Sequence, residues 1–407
     1  MIEAPKRTTW NFFSGSQLTF GPGAIRTLAG IIDRRRASRI LVVSDTVLVD
    51  AGIVAQVQDA AQPSAAELKL FAEGEVEPST ATVESVADVA REFKPDVVVA
   101  VGGGSNMDLS KAALACFAHQ RDAESLLGFD QVPGPTPTLM CVPTTAGTGS
   151  EVTHSAVLMS SKTGRKAAIL SQHIRPDVAI VDPYLTISCP PKVTAESGID
   201  ALTHAIEAYL VTSFYQFEED PSVGLPYEGN HPLGDLYAEK AIALVGENLQ
   251  RAVDQPEDLS ARSAMALAAT LAGAAFSSCG VSMAHALEYS IGSKFKCSHG
   301  IGNALVLPSV MRFWMPERTK RLAKIAQLLG LADASLMPSE QAAEAGINAV
   351  EQLRKTIGLP TGLSELGAKS DDIDALASTS MSLQRLLDLS PKQPSVEDTK
   401  TMLSGSM

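Results

Sequence analysis

The sequence predicts two domains, an α/β domain on a doubly wound parallel sheet over residues 1–187 and an all-α domain over residues 188–407. Three observations support this prediction. The 407 residues exceed what one hydrophobic core usually organises. In the first half, short apolar runs typical of buried strands alternate with helical patterns. After Cys189-Pro190-Pro191 the chain changes to long Ala- and Leu-rich helical segments, so we place the boundary near residues 184–192.

Composition narrows the class of protein. The net charge is −13 and no basic run is longer than Arg34-Arg35-Arg36, which argues against nucleic-acid and acidic-membrane partners. The five cysteines are odd in number and lack CxxC spacing, as in reduced intracellular proteins. Residues 1–17 lack an apolar leader, and no uninterrupted apolar run is long enough to cross a membrane. We therefore expect a cytoplasmic protein that acts on small molecules. We also expect it to form a homodimer or higher homo-oligomer.

The first strong strand signal is the apolar run from Arg39 to Val43, which leads to Asp45. In nucleotide-binding α/β folds, a carboxylate at such a strand end accepts hydrogen bonds from the adenosine ribose and repels a 2′-phosphate. An Asp that caps the following helix fits the same sequence. Both interpretations stay open on the sequence alone.

The second signal is a valine-rich strand, residues 96–101, that runs directly into Gly102-Gly103-Gly104-Ser105 and a helix through Leu109. Glycines let backbone N–H groups approach an anion, and the helix N-terminus adds partial positive charge. The spacing is not GxGxxG, and a glycine triplet also suits a simple tight turn. Its place between strand and helix favours a phosphate-binding loop in a Rossmann-like domain.

A third strand, residues 138–142, precedes a loop of small hydroxyl and glycine residues, Pro143 to Glu151. Such residues supply donors and acceptors without bulk, as a loop lying against a dinucleotide requires. A flexible linker has a similar composition but is not expected between two apolar strands. The strand at residues 178–181 closes this half of the chain.

The helical half contains four residues of types that bind transition metals. Asp200 and His204 are four apart in a helical segment, so their side chains leave the same face. His285 opens a second helical segment, and His299 lies at a Ser-His-Gly break before an apolar helix. Taken alone, Asp200 and His204 are more simply a chance D-x-x-x-H spacing. His285 and His299, taken alone, are more simply core histidines that form hydrogen bonds. The apolar neighbours favour a metal, because buried Asp and His need partners.

Taken in order, the motifs GGGSNMD, PTTAGTGSEVT, VDP, GIDALTHAIEAY and HALEYSIGSKFKCSHGIGNALVLP resemble those of the iron-containing (group III) alcohol dehydrogenase family, over most of the chain. The resemblance implies that Asp200, His204, His285 and His299 bind Fe²⁺, or Zn²⁺ in some members. It also implies NAD as the cofactor. The cofactor-binding positions that match the family are Asp45, Gly103, Gly104, Ser105, Thr144, Thr145, Thr148 and Lys166.

Two features depart from the family pattern. Many members carry a histidine four residues after the third ligand, thought to help move the proton, and here that position is Tyr289. A phenol donates and accepts hydrogen bonds, but its ordinary pKa of about 10 demands a shift or another relay. The second departure is an insertion from Ser213 to Gly234. We favour an idle surface loop, with a substrate entrance or a subunit contact as alternatives.

The predicted reaction is hydride transfer between NAD(H) and a small alcohol or aldehyde, with Tyr289 as the catalytic candidate. A metal held by three imidazoles and one carboxylate acts as a Lewis acid on the substrate oxygen. A hydroxyacid-oxoacid transhydrogenase or a maleylacetate-type reductase is the closest alternative, with an oxoacid substrate. A lyase like dehydroquinate synthase needs more basic residues near the metal than Lys294 and Lys296 offer. A non-catalytic nucleotide-binding protein leaves the four ligand-type residues unexplained.

Overall fold

The computed structural model describes residues 5–14, 17–218 and 224–407. The chain divides into a sheet-containing unit, Phe13–Cys189, and a helical unit that begins at Pro190. The predicted fold class is confirmed: a parallel sheet with α/β layout is followed by a helical region. Residues 5–12 group with the helical unit rather than with the sheet, where the predicted boundary had put them.

The sheet-containing unit alternates strands and helices along the chain. Its elements are β1 (Gln17–Phe20), α1 (Leu28–Arg34), β2 (Arg39–Val43), α2 (Thr46–Asp50), α3 (Ile53–Ala61), β3 (Glu67–Phe71), α4 (Thr80–Phe93), β4 (Val97–Gly102), α5 (Gly104–His119), β5 (Gly128–Phe129), β6 (Thr138–Pro143), β7 (Ser155–Met159), β8 (Lys166–Leu170) and β9 (Val178–Val181).

Six of these strands form one parallel sheet in the order β1-β9-β6-β4-β2-β3. Alternate residues of each central strand enter different hydrophobic cores. In β4, Val98 and Ala100 join the core that includes α4 and α5, while Val97 and Val99 join the core that includes α1 and α3. Burial on both faces explains why the strands are continuous apolar runs. The remaining strands form a small sheet, β5-β8-β7.

The helical unit is built from nine described helices. They are α6 (Pro191–Leu210), α7 (Pro232–Asp254), α8 (Leu259–Cys279), α9 (Met283–Phe295), α10 (His299–Leu328), α11 (Ser339–Thr356), α12 (Ile373–Met381), α13 (Gln384–Leu387) and α14 (Val396–Ser404). The backbone of α10 leaves helical geometry at Arg318, after two internal prolines. Among the described helices, α8 is long and apolar enough to cross a membrane by length and composition alone. It packs against α6 and α7, as a core helix does.

The insertion is more than a surface loop in the part that the structure describes, residues 213–218 and 224–234. Tyr227, Glu228 and His231 are each at most 6% exposed. The N-terminal segment covers them: Arg7 forms an ion pair with Glu228, and the Trp10 ring stacks on His231 at a centroid distance of 4.3 Å. Our preference for an idle surface loop was therefore wrong for these residues. Residues 219–223 of the insertion lie outside the described part of the chain.

Candidate metal centre and cofactor loops

Three helices bring the four predicted ligands together. Asp200 and His204 lie one turn apart on α6, His285 lies in the first turn of α9, and His299 is the first residue of α10. One ligand atom from each residue lies within 4.8 Å of the others. Asp200, His204 and His285 are buried, and His299 is partly exposed. One side of the cluster is thus accessible while the rest is enclosed.

The local sequence around His299 explains its position. Lys296 ends α9 in a left-handed conformation, and the Ser298 hydroxyl accepts a hydrogen bond from the backbone N–H of Ile301. A Cβ on Gly300 would lie 2.0 Å from the carbonyl oxygen of Glu196 on α6. Only glycine lets α10 approach α6 this closely, and the Ser298 cap starts α10 at the predicted Ser-His-Gly break.

Two buried glutamates orient the histidines, and the sequence analysis did not identify either of them. Glu207 accepts from Nδ1 of His285 at 2.5 Å, and Glu288 lies 2.6 Å from Nδ1 of His299. Both side chains are fully buried. A carboxylate on Nδ1 fixes the ring and leaves Nε2 directed at the metal, as in many protein metal sites. The available signal was helical spacing, because Glu207 follows His204 by three residues and Glu288 follows His285 by three.

The side chain of Asn303 contacts three of the four ligand atoms. Its Nδ2 lies 2.9 Å from Oδ1 of Asp200, 3.3 Å from Nε2 of His285 and 3.2 Å from Nε2 of His299. The lone pairs of these ligands therefore converge on one group with partial positive charge. Burial on its own raises the pKa of Asp200, but the three facing imidazoles and the Asn303 amide lower it, and the net shift is downward.

The residues present fit a divalent transition-metal ion. Three imidazole nitrogens and one carboxylate oxygen suit Fe²⁺ or Zn²⁺. Two ligand atoms on opposite sides of one ion are about 4.2 Å apart when each bond is about 2.1 Å. The ligand atoms here lie within 4.8 Å of one another, so the side chains must move closer together to hold one ion.

Tyr289 lies beside this cluster on α9, one turn after His285. Its ring centroid is 6.3 Å from the ring centroid of His299, and its side chain is partly exposed. The i, i+4 spacing therefore places the phenol on the same side of α9 as the ligand. Its part in proton transfer stays a prediction.

The sheet-containing unit holds the predicted cofactor residues, and its glycine loop joins β4 to α5. Gly103 is the N-cap of α5 and has no side-chain cap, so backbone N–H groups of the first turn are available to an anion. A Cβ on Gly104 would lie 2.7 Å from the methyl group of Thr148. Ser105 follows in the first turn, and Thr145 lies against Gly103. The two predicted loops are thus in direct contact.

Asp45 follows β2 and caps α2 by accepting from the backbone N–H of Leu48 at 3.0 Å. The capping alternative is therefore correct. The carboxylate also accepts from Nδ2 of Asn106 at 2.7 Å, and Asn106 donates to the carbonyl of Val101 at 3.0 Å. Because Asn106 belongs to α5, Asp45 lies next to the glycine loop. The cap and a ribose contact are compatible, since a carboxylate offers about four acceptor sites.

Lys111 connects α5 to the end of the second loop and was not identified from the sequence. It is 0% exposed, and its Nζ donates to Ser150 Oγ at 2.6 Å and Thr153 Oγ1 at 3.0 Å. Asp108 accepts from the same Ser150 hydroxyl at 2.6 Å. Burial lowers the pKa of Lys111. This buried polar cluster holds the two loops at a set separation.

The two other predicted cofactor residues have partners of their own. The backbone N–H of Thr144 donates to the carbonyl of Gly102 at 3.0 Å, which joins the second loop to the end of β4. Lys166 begins β8 and forms a 2.7 Å ion pair with Glu77. The side chain of Lys166 is largely buried. Its predicted contact with a cofactor stays a prediction.

Comparison with known proteins gives matches over nearly the whole chain. A family model described as iron-containing alcohol dehydrogenase matches residues 15–183, and the C-terminal model of the Fe-containing alcohol dehydrogenase family matches residues 225–407. An NAD-dependent methanol dehydrogenase of Bacillus methanolicus is 34% identical over 90% of this chain and 92% of its own length. The mitochondrial hydroxyacid-oxoacid transhydrogenase of Rattus norvegicus is 30% identical over 96% of this chain and 88% of its own length. A crystal structure of a 1,3-propanediol oxidoreductase aligns with a TM-score of 0.91 and 30% identity, covering 98% of this chain and 100% of that one.

Proposed function

Because the chain belongs to the iron-containing alcohol dehydrogenase family, we propose that it transfers a hydride between NAD(H) and a small alcohol or aldehyde at a single divalent metal ion, Fe²⁺ in preference to Zn²⁺. The observation that carries the proposal is the convergence of Asp200, His204, His285 and His299 in the helical unit. When bound, the metal supplies Lewis-acid polarisation of the substrate oxygen.

The chain's own residues bind the cofactor, orient the metal ligands and transfer the proton. Glu207 and Glu288 hold two of the histidines in the orientation that directs Nε2 at the metal. The glycine loop and the first turn of α5 bind the cofactor pyrophosphate through backbone N–H groups. We assign proton transfer to or from the substrate oxygen to the hydroxyl of Tyr289, and the 6.3 Å between the ring centroids of Tyr289 and His299 supports this assignment.

A combined metal and substrate screen tests the proposal. Protein purified without oxygen is analysed for bound metal, and NADH oxidation is then measured with aldehydes and oxoacids after loading with Fe²⁺ or Zn²⁺. We expect one metal per chain and metal-dependent NADH oxidation. A protein that binds no divalent metal, or that oxidises NADH equally well after chelation, contradicts the proposal.

We also propose NAD rather than NADP as the preferred cofactor. The carboxylate of Asp45, held beside the glycine loop by Asn106, repels a 2′-phosphate through like charge. Asp45→Gly should relax the preference. The ratio of kcat/KM for NADH to kcat/KM for NADPH, determined for both proteins, measures this preference. If kcat/KM of the unmutated enzyme is tenfold higher with NADPH than with NADH, equivalent to about 1.4 kcal/mol, the inference is wrong.

A hydroxyacid-oxoacid transhydrogenase is the second candidate, and the similarity to the rat mitochondrial enzyme favours it. A maleylacetate-type reductase shares the oxoacid substrate but consumes NADH. The two differ in cofactor use, because a transhydrogenase passes the hydride from a hydroxyacid to an oxoacid with no net change in NADH. Product analysis in mixtures of one hydroxyacid and one oxoacid, with and without NADH, distinguishes these reactions.

A further inference from the structure

One arginine in the helical unit, Arg385, lacks a carboxylate partner among the described residues. It lies on the short helix α13, which packs against α9, and the hydroxyl of Ser282 donates to the carbonyl of Leu386 at 2.8 Å. The side chain is partly buried. Arg312 and Arg321 in the same unit each form ion pairs with acidic side chains at 2.9 Å or less. Arg385 instead contacts a neutral phenol.

That phenol is Tyr227, which belongs to the insertion. Nη1 of Arg385 donates to the Tyr227 hydroxyl at 3.2 Å, and the guanidinium carbon lies 5.7 Å from the Tyr227 ring centroid. Tyr227 is only 6% exposed, so it is a fixed support. One hydroxyl satisfies one of the five N–H donors of a guanidinium. The other donors are suited to an oxyanion, which the planar fork binds in a bidentate manner.

The position of Arg385 near the metal ligands indicates that this oxyanion belongs to the substrate. Leu386, the neighbour of Arg385, accepts a hydrogen bond from Ser282, the N-cap of α9, and Tyr289 lies on the same helix. An electrostatic interaction of Arg385 with Tyr289 agrees with this placement. Tyr289 in turn lies 6.3 Å from the His299 ring, measured between centroids. Arg385, Tyr289 and the metal-ligand cluster are thus grouped around α9, within the helical unit. A substrate whose oxygen lies at the cluster and whose chain passes Tyr289 presents its far end to Arg385.

We propose that Arg385 binds an anionic group at the far end of the substrate, so that the enzyme acts on short aldehydes, or the corresponding alcohols, that carry a carboxylate or a sulfonate. This inference rests on the proposed function and specifies its substrate class. A partly desolvated guanidinium without a carboxylate is costly unless a ligand supplies the negative charge. The insertion then has a role, because Tyr227 holds Arg385 in place.

The test compares short aldehydes that differ in charge. NADH-dependent reduction of 4-oxobutanoate, sulfoacetaldehyde and butanal is measured with the metal-loaded full-length enzyme. We expect at least one anionic aldehyde to exceed butanal in kcat/KM by about tenfold or more, the effect of a charge-assisted hydrogen bond. The anionic substrate with the larger ratio identifies carboxylate or sulfonate as the natural group. A wild-type enzyme that prefers butanal overturns the proposal.

Variants then assign the selectivity to one residue. In Arg385→Met the ratio of anionic aldehyde to butanal should fall at least tenfold through KM, and Arg385→Lys should retain part of it. Arg312→Met removes the same charge from the helical unit and should leave the ratio unchanged. Metal content and Tm of each variant exclude misfolding. Equal losses on butanal and on the anionic aldehydes indicate a packing role and overturn the inference.

Failure of this inference is distinguishable from failure of the proposed function. An enzyme that reduces butanal with NADH and a bound metal, but shows no dependence of selectivity on Arg385, retains the proposed function and loses only the substrate class. If the enzyme binds no metal, or oxidises NADH with none of the aldehydes, both the proposed function and the substrate class are contradicted.

Discussion

The metal-ligand cluster and the cofactor loops are built on opposite principles. In the cluster, ionisable side chains are buried between helices and pair with other polar groups. The hydrogen bond between Glu207 and His285 is an example. In the loops, backbone and small side chains form the surface, and Gly104 and Thr148 are in contact. Charge and hydrogen-bond geometry thus determine the metal-ligand cluster, whereas the volume left between Gly104 and Thr148 limits the glycine loop. Substitutions that change one property at a time can test this difference.

The largest effect should follow removal of a ligand from the cluster. His285→Ala and His299→Ala each delete one of four converging donors, so we expect metal affinity to fall by more than about 100-fold, beyond the usual cost of losing an outer-shell partner. Elemental analysis and turnover measure the loss. His173→Ala, an exposed histidine of the sheet-containing unit, is the control. If both ligand variants keep full metal and turnover, the metal-site assignment is wrong.

A smaller effect should follow loss of charge without loss of shape. Glu207→Gln and Glu288→Gln keep the side-chain volume but weaken the hold on Nδ1 of their histidines, so metal affinity should fall about 10- to 100-fold. Competition with a chelator measures this affinity. The exposed Glu247→Gln serves as the matched control. Unchanged affinity in both variants would indicate that the buried carboxylates do not support the ligands.

In the glycine loop, added volume should be harmful. Gly104→Ala places a methyl group 2.7 Å from the Thr148 methyl, so one loop must move. We expect KM for NADH to rise about tenfold, equivalent to about 1.4 kcal/mol, with metal content unchanged. Removing the opposing methyl in Gly104→Ala/Thr148→Ala should recover part of the loss. An unchanged KM in the single variant argues against a volume-limited loop.

The smallest expected effect concerns Tyr289, which lies next to the cluster but is not a ligand. Tyr289→Phe keeps the ring and removes the hydroxyl, so a proton-transfer or positioning role predicts a fall in kcat/KM of up to about 10-fold. This is less than the roughly 100-fold or more of a sole general acid–base group, because cofactor hydroxyls or water can also carry the proton. The pH profile should change and metal content should not. Identical kinetics across pH would leave Tyr289 as a packing residue, with the proton reaching solvent through cofactor hydroxyls or water.

Much of the architecture follows from local sequence patterns. Runs such as Val97 to Val101 are apolar on both faces, which is typical of a parallel strand between two helix layers, and the sheet has this form. The four ligand-type residues were identifiable because Asp and His are costly in apolar helices without partners. The start of a helix at the Ser-His-Gly break was predicted and is confirmed, but the need for glycine at position 300 is explained only by the approach of Glu196.

The sequence by itself determined the strand–helix alternation, the glycine loop and the types of residue at the metal-ligand cluster. Only the tertiary structure decided which distant residues support them: Glu207 and Glu288 on the histidines, Lys111 between the loops, and Tyr227 beneath Arg385. The physical reason is that periodicity reports which face of an element is apolar, over a few residues. A contact between Tyr227 and Arg385 depends instead on how whole segments pack, and a polar residue on a helix has the same local pattern whether it faces water or a buried partner.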